Sequence, residues 1–141
     1  MATKSDFSEQ EWEMLQKGVK GSGLLVSLSD RDFTDTFGEA GAMGKYLAGQ
    51  QVSGSSELVR ELARTKGTGF GVTASPDRVR AETMEALRTS MATLAAKAPD
   101  DVDAYRQLVL GLAAAVAEAK GGETPIEADM IREIEATLAA P

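Results

Sequence analysis

The amino-acid sequence predicts a compact all-α domain of six or seven helices. Apolar residues recur at spacings of three and four along most of the chain, helix-capping signals precede these runs, and no segment alternates as a strand does. With 141 residues, the chain is long enough to bury a core without disulfide bonds. We therefore expect a single helical domain over residues 1–141, with frayed ends at 1–7 and 140–141.

The first helix has the clearest start signal. Ser8 and Glu11 have the spacing of a capping box, and Phe7 and Trp12 have that of the accompanying hydrophobic staple. Three glycines follow, and we expect them to break or bend the chain before a short buried helix at 24–29. The alternative is that they allow close contact with another helix: Gly18, Gly21 and Gly23.

The second and third helices are predicted from a periodic run and a serine cap. Apolar and small residues recur every three or four positions at Phe33, Phe37, Ala40, Gly44 and Leu47. The Gly/Ser stretch at 48–56 is expected to end that helix. Ser55 or Ser56 can cap a short helix that carries Leu58 and Leu62. Residues 66–74 form the most irregular segment, and we expect a loop there.

Two proline signals divide the second half of the chain. Ser75-Pro76 is a cap followed by a helix-starting proline, and the helix it opens is expected to reach about Ala98. Pro99 should stop it, and Asp100 can cap the next helix. That next helix, near 101–119, is apolar on nearly all sides and should lie at the centre of the fold.

The last helix begins at Thr124-Pro125-Ile126-Glu127, which combines a cap, a helix-starting proline and a capping-box glutamate. Taken together, the apolar faces of the helices predict a core. Its largely buried members are expected to be Trp12, Leu25, Phe37, Leu87, Leu108, Leu112, Ile131 and Ile134.

Composition excludes several classes of site. The chain has no cysteine and no histidine, so it has no disulfide, thiolate nucleophile, catalytic triad or zinc-thiolate centre. A bound metal would need oxygen ligands, which points to calcium, magnesium or manganese. The net charge of −7 disfavours nucleic acid and anionic membrane surfaces, and the longest apolar run, at 108–117, is too short to span a bilayer. No secretory signal is recognisable, so we expect a cytoplasmic protein.

Residues 22–47 and 112–138 follow a similar order. Each has a small apolar helix, a short polar link and a second helix with one hydrophobic face. This echo predicts two pseudo-repeated helical hairpins, around 23–47 and 102–139, packed about an approximate two-fold axis.

The link at 118–129, "EAKGGETPIEAD", carries a family resemblance. Its rhythm of Ala119, Gly121, Thr124-Pro125 and Glu127 resembles that of the TerB-like tellurite-resistance family, and the resemblance extends over residues 20–140. The sequence departs from the family pattern at Lys120, where the family tends to have aspartate. In the first copy, at 22–47, the aspartate is present as Asp30, but no glycine follows it. The resemblance implies a compact helical fold and a non-enzymatic accessory role in tellurite or general stress response.

The best metal candidates are the carboxylates of Asp30, Asp32 and Asp35 in the first link, with Glu39 beside them. Clustered carboxylates can bind calcium or magnesium. However, an EF-hand counted from Asp30 would need glycine where Asp35 stands and glutamate at Gly41. The alternative is a solvated link in which Asp32, Thr34 or Asp35 caps the following helix.

Two further segments favour structural roles. In the second link, Lys120 lies among Glu118, Glu123 and Glu127, which favours a turn over a cation site. The glycine-rich stretch at 67–76 lacks the lysine and the preceding strand of a phosphate-binding loop.

From these observations we expect a non-enzymatic accessory or adaptor protein with no catalytic residue and no cofactor. Its partners are expected to be proteins, and a homo-oligomer is left open. The alternative is a divalent-cation-binding module that uses Asp30, Asp32 and Asp35. A metal-dependent carboxylate enzyme ranks last.

Overall fold

The computed structural model describes residues 3–29, 36–54, 56–64, 75–119 and 125–139. Across these ranges the chain forms six α-helices and two 3-10 turns, and none of the described residues is in a strand. The predicted all-α fold with six or seven helices is confirmed. The helices are α1 Glu9–Ser29, α2 Thr36–Ser53, α3 Glu57–Arg64, α4 Pro76–Lys97, α5 Val102–Ala119 and α6 Pro125–Ala139, and the 3-10 turns are Lys4–Asp6 and Pro99–Asp101.

The predicted start of α1 is confirmed in detail. The Glu11 backbone N–H donates to Ser8 Oγ at 3.1 Å, and the Ser8 backbone N–H donates to Glu11 Oε1 at 2.7 Å. The Phe7 and Trp12 rings lie 6.2 Å apart between centroids, which closes the hydrophobic staple. Local sequence signals therefore fix where the first helix begins.

Serine caps also begin α3 and α4. The Val59 N–H donates to Ser56 Oγ at 3.2 Å, and the Arg78 N–H donates to Ser75 Oγ at 3.2 Å. Pro76 occupies the first helical position of α4, as predicted. Between α4 and α5, Asp100 lies within the 3-10 turn Pro99–Asp101 instead of at the predicted cap position of the next helix. The buried Asp101 directly precedes α5.

The prediction that the glycines of α1 break the chain before a separate short helix is wrong. Instead, α1 runs unbroken to Ser29, and the glycines let neighbouring side chains approach its backbone. A Cβ on Gly18 would overlap the Tyr105 hydroxyl, and one on Gly21 would overlap Thr83 Oγ1. Packing energy from α4 and α5 outweighs the weak helix propensity of glycine, which is about 1 kcal/mol per residue.

The predicted central position of α5 is confirmed. This helix packs against α1, α2, α3 and α6, while α1 also lies along α4. The Tyr105 hydroxyl, fully buried, donates to the Leu15 carbonyl oxygen of α1 at 2.8 Å. The predicted core residues that are buried are Trp12, Leu25, Leu87, Leu108, Leu112 and Ile134.

The other two predicted core residues, Phe37 and Ile131, are not among the buried residues that the structure describes. Ile131 is partly buried against the core, because it lies at the edge of the inner face of α6. The side chain of Phe37 lies outside the described part of the structure.

The two predicted hairpins are in contact, because α5 packs against both α1 and α2 and α6 packs against α1. Their links, at 30–35 and 120–124, lie outside the described residues. The approximate two-fold relation between the hairpins stays a prediction. Within the described ranges, every helix is too short or too polar to cross a membrane.

Candidate functional site

The sequence-predicted metal candidates fall outside what the structure describes. Asp30, Asp32 and Asp35 precede α2, and the side chain of Glu39 is not described. Of the second acidic group, only Glu118 has a described side chain, which is exposed. Among the described residues, no three metal-ligating side chains come together. The cation site in the first link therefore stays a prediction.

The irregular loop predicted at 66–74 also lies outside the described residues. What the structure does describe is a cleft at the N-terminal end of α1, which we call the Trp12 cleft. It consists of two cavities, of about 370 and 390 Å³, that share Lys4 and Trp12. The first is closed by Glu61 and Arg64 of α3, and the second extends along α1. The residues that line this second part include Phe7, Glu9, Glu13 and Gln16.

A short segment expected to fray forms one wall of the cleft. Residues Lys4–Asp6 form a 3-10 turn in which the Thr3 N–H donates to Asp6 Oδ2 at 2.9 Å. The Lys4 N–H donates to Glu61 Oε2 at 2.9 Å, which ties the turn to α3. Phe7 is only 8 % exposed, so its ring anchors the end of the segment in the core.

Trp12 forms the floor of the cleft and is covered by a cation. The Lys4 ammonium lies 5.9 Å from the centroid of the Trp12 ring, within the distance of a cation–π interaction. Trp12 is 4 % exposed, whereas the Lys4 residue is exposed. The buried indole Nε1 of Trp12 has no hydrogen-bond acceptor among the described residues. An unused buried donor of this kind is costly to a fold.

Among the described residues around the indole, negative charges outnumber positive ones. Glu9, Glu13 and Glu61 contribute three carboxylates, against the guanidinium of Arg64 and the Lys4 ammonium. Within the described ranges, Glu9 and Glu13 form no ion pair, in contrast to nearby Glu11, which pairs with Lys97 at 2.6 Å. With its aromatic floor and charged rim, the cleft has groups suited to binding.

Groups with a shifted pKa elsewhere belong to the packing of the helices. Burial raises the pKa of Tyr105, whose hydroxyl is held by the Leu15 carbonyl, and it raises the pKa of the half-buried Tyr46. Burial also lowers the pKa of Lys20 on α1. On the surface, Glu82 of α4 accepts hydrogen bonds from Lys17 and Arg78, and both lower its pKa.

The outer face of α2 is a second unusual surface. Gly44 and Gly49 have no neighbouring atom near the position of a Cβ, and Val52 is 85 % exposed. Lys45 and Ala48 are exposed beside them. The described residues of this face are therefore small or apolar, apart from one lysine.

Sequence reasoning found Trp12 as a staple residue but missed the cleft around it. Lys4, Glu61 and Arg64 come from separate segments, and their spacing resembles no motif. The signal available in the sequence was that Trp12 is the only tryptophan in the chain.

Comparison of the chain with protein-family models, with curated proteins and with solved structures found no match.

Proposed function

We propose that this protein is a non-enzymatic adaptor that binds a protein partner through the Trp12 cleft. The observation that carries the proposal is the position of the only tryptophan, on the floor of a cleft covered by one exposed lysine side chain. Tryptophan and arginine are the residues most enriched among the anchors of protein interfaces. Here Arg64 lies at the rim of the same cleft as Trp12.

The surroundings of the cleft support a binding role. Trp12 and Phe7 are held in place by the capping box and the staple, so the floor of the cleft is already ordered before a partner arrives. Binding to a preformed surface avoids the entropic cost of ordering it. The charged rim resembles the polar rim that surrounds the apolar centre of many protein interfaces.

As a finer proposal, the adaptor acts in tellurite or general stress response. Its support is the resemblance of residues 20–140 to the TerB-like pattern, centred on the link at 118–129. A strain that lacks the protein should then grow less well than its parent on tellurite or under oxidative stress. Equal growth of both strains under these stresses would remove the finer proposal and leave the adaptor role intact.

The adaptor role is tested by affinity purification of the full chain from its native host. The variant Glu9→Arg/Glu13→Arg reverses the charge on the α1 side of the cleft. A matched control, Glu118→Arg/Glu135→Arg, makes the same charge change at exposed positions of α5 and α6. We expect a partner that co-purifies with the wild type and the control but not with the cleft variant. Identical sets of proteins from all three would contradict the proposal.

A further inference from the structure

The chemistry of the cleft identifies the kind of partner. We infer that the Trp12 cleft binds a lysine or arginine side chain of a basic peptide segment, and that Lys4 occupies the same place in the unbound protein. The inference rests on the proposed adaptor function and adds to it both the class of partner and a built-in competitor.

The indole of Trp12 already holds a cation in the unbound protein. The Lys4 ammonium lies 5.9 Å from the Trp12 ring centroid, and among aromatic side chains tryptophan attracts cations most strongly. A cation from a partner would make the same interaction with the same ring. The position of the Lys4 ammonium in the unbound protein therefore indicates that the ligand of the site is a cation.

The side chain of Lys4 is easily replaced at the Trp12 ring. The Lys4 backbone N–H donates to Glu61 and the Lys4 carbonyl oxygen accepts from the Phe7 N–H, but these bonds hold only the backbone, and the residue is exposed. The capping box of Ser8 and Glu11, which begins α1, does not involve Lys4. The Lys4 side chain can therefore leave the ring by rotation about its own bonds while the helix stays intact.

The charges of the cleft and of the whole chain favour a basic segment. Once Lys4 has left, Arg64 carries the one positive charge among the described residues that line the cleft, against the carboxylates of Glu9, Glu13 and Glu61. The whole chain carries −7, so its field steers a basic segment toward the protein and repels an acidic one. An incoming cation also meets carboxylates of Glu9 and Glu13 that no described side chain neutralises.

The size of the cleft fits a side chain and its neighbours. Each cavity, at about 370 and 390 Å³, is within the range of roughly 300–1,000 Å³ usual for small-molecule sites. The two share the covering lysine. Displacement of Lys4 would therefore open a longer groove on both sides of the indole. The peptide residues on either side of the bound lysine or arginine can lie in this groove.

Competition by Lys4 has a measurable consequence. A site that is covered part of the time binds its ligand more weakly, in proportion to the uncovered fraction. An exposed cation–π contact is weak, so removal of the Lys4 ammonium should tighten binding by about two- to fivefold. Lys4→Met removes the charge and keeps an unbranched side chain that is one atom shorter.

The experiment uses the full chain and the emission of Trp12, which is its only tryptophan. Octalysine, capped at both ends, is titrated into the wild type, Lys4→Met and the control Lys45→Met, which removes an exposed charge on α2. We expect a saturable change in emission, tightened about two- to fivefold in Lys4→Met only. Octaglutamate should cause no change. Equal affinity of Lys4→Met and Lys45→Met, or no response to octalysine, would overturn the inference.

A second pair of variants separates the cleft from general attraction to an acidic protein. Glu9→Gln/Glu13→Gln should weaken octalysine binding more than Glu118→Gln/Glu135→Gln, although both remove two exposed charges. Equal weakening would show nonspecific attraction and would also overturn the inference. If the native partner needs Glu9 and Glu13 but octalysine does not bind, the proposed adaptor function is retained and the inference of a basic partner is rejected. If neither the native partner nor octalysine needs the cleft residues, both proposals are rejected.

Discussion

The contact between Gly18 and Tyr105 predicts a large effect from a single methyl group. Gly18 lies inside α1, where alanine would ordinarily add about 1 kcal/mol of helix stability. However, its Cβ would overlap the Tyr105 hydroxyl and come within 3.0 Å of Leu87 Cδ2. The hydroxyl would have to leave the Leu15 carbonyl, to which it donates at 2.8 Å in a fully buried position.

The magnitude of Gly18→Ala follows from these contacts. Overpacking of a filled core costs about 1–3 kcal/mol. A buried hydroxyl without its partner costs about 1–3 kcal/mol more. After the gain of about 1 kcal/mol in helix propensity, the free energy of unfolding should fall by about 1–5 kcal/mol. Urea unfolding, followed by circular dichroism, measures this change from the shift in midpoint.

Gly44→Ala is the matched control, because Gly44 is also inside a helix but has open space at the Cβ position. It should raise the free energy of unfolding by up to about 1 kcal/mol. The reasoning would be refuted if Gly18→Ala were as stable as Gly44→Ala. Tyr105→Phe adds a second check, since removal of the hydroxyl relieves the shortest contact of the added methyl group. The Gly18→Ala/Tyr105→Phe pair should therefore lose less stability than the sum of the two single changes, by about 0.5–3 kcal/mol.

Three further predictions test the core, the acidic link and the start of α1. Leu112→Ala, at a fully buried site of α5, should cost about 2–5 kcal/mol in urea unfolding, and a loss below about 1 kcal/mol would contradict its place in the core. Millimolar calcium should leave the thermal midpoint nearly unchanged, because the first link lacks EF-hand spacing; an upward shift abolished by Asp32→Asn would favour the cation-binding module. The hydrogen bond from Lys97, and next that from the Ser8 N–H, lower the pKa of Glu11 below 4.5. The stability that Glu11 contributes is therefore fully present above about pH 4.5 and is lost as the pH falls through the lower pKa of the folded state. Glu11→Gln removes this contribution, so a plot of its thermal midpoint against pH should be flatter on the acid side.

The sequence allowed prediction of those parts of the fold that depend on neighbouring residues. Ser8 and Glu11 are three positions apart, and Ser75 adjoins the proline that starts α4, so their effects need no tertiary information. The apolar faces of α4 and α5 were predictable for the same reason, because helical periodicity is a local property. Leu108 and Leu112 are fully buried, as the pattern indicated.

The roles of the glycines in α1 were not predictable in this way. A glycine inside a helical pattern can signal a break or a close approach, and which of these applies depends on what packs against it. At Gly18 and Gly21 the deciding groups are the side chains of Tyr105 and Thr83, which come from other helices. No local pattern carries that information.

The same limit applies to the candidate site. Trp12 was correctly placed in the core, but the cleft also needs Lys4 and the α3 residues Glu61 and Arg64. These residues meet only because α3 lies beside the start of α1, and the bond from the Lys4 N–H to Glu61 holds the two together. The metal candidates Asp30, Asp32 and Asp35 remain predictions of the sequence.

The bond between Tyr105 and Leu15 also affects how the chain folds during synthesis. It joins residues 90 positions apart, and at typical rates of about 5–20 residues per second the tyrosine is added roughly 5–18 seconds after its partner. For much of that interval α1 is complete while α4 and α5, which pack against it, have yet to be made, and its glycines make it a poor helix on its own. Its apolar residues are then exposed to chaperones and to other nascent chains. Of the six described helices, α1 is made first but is buried only after α4 and α5 have been made.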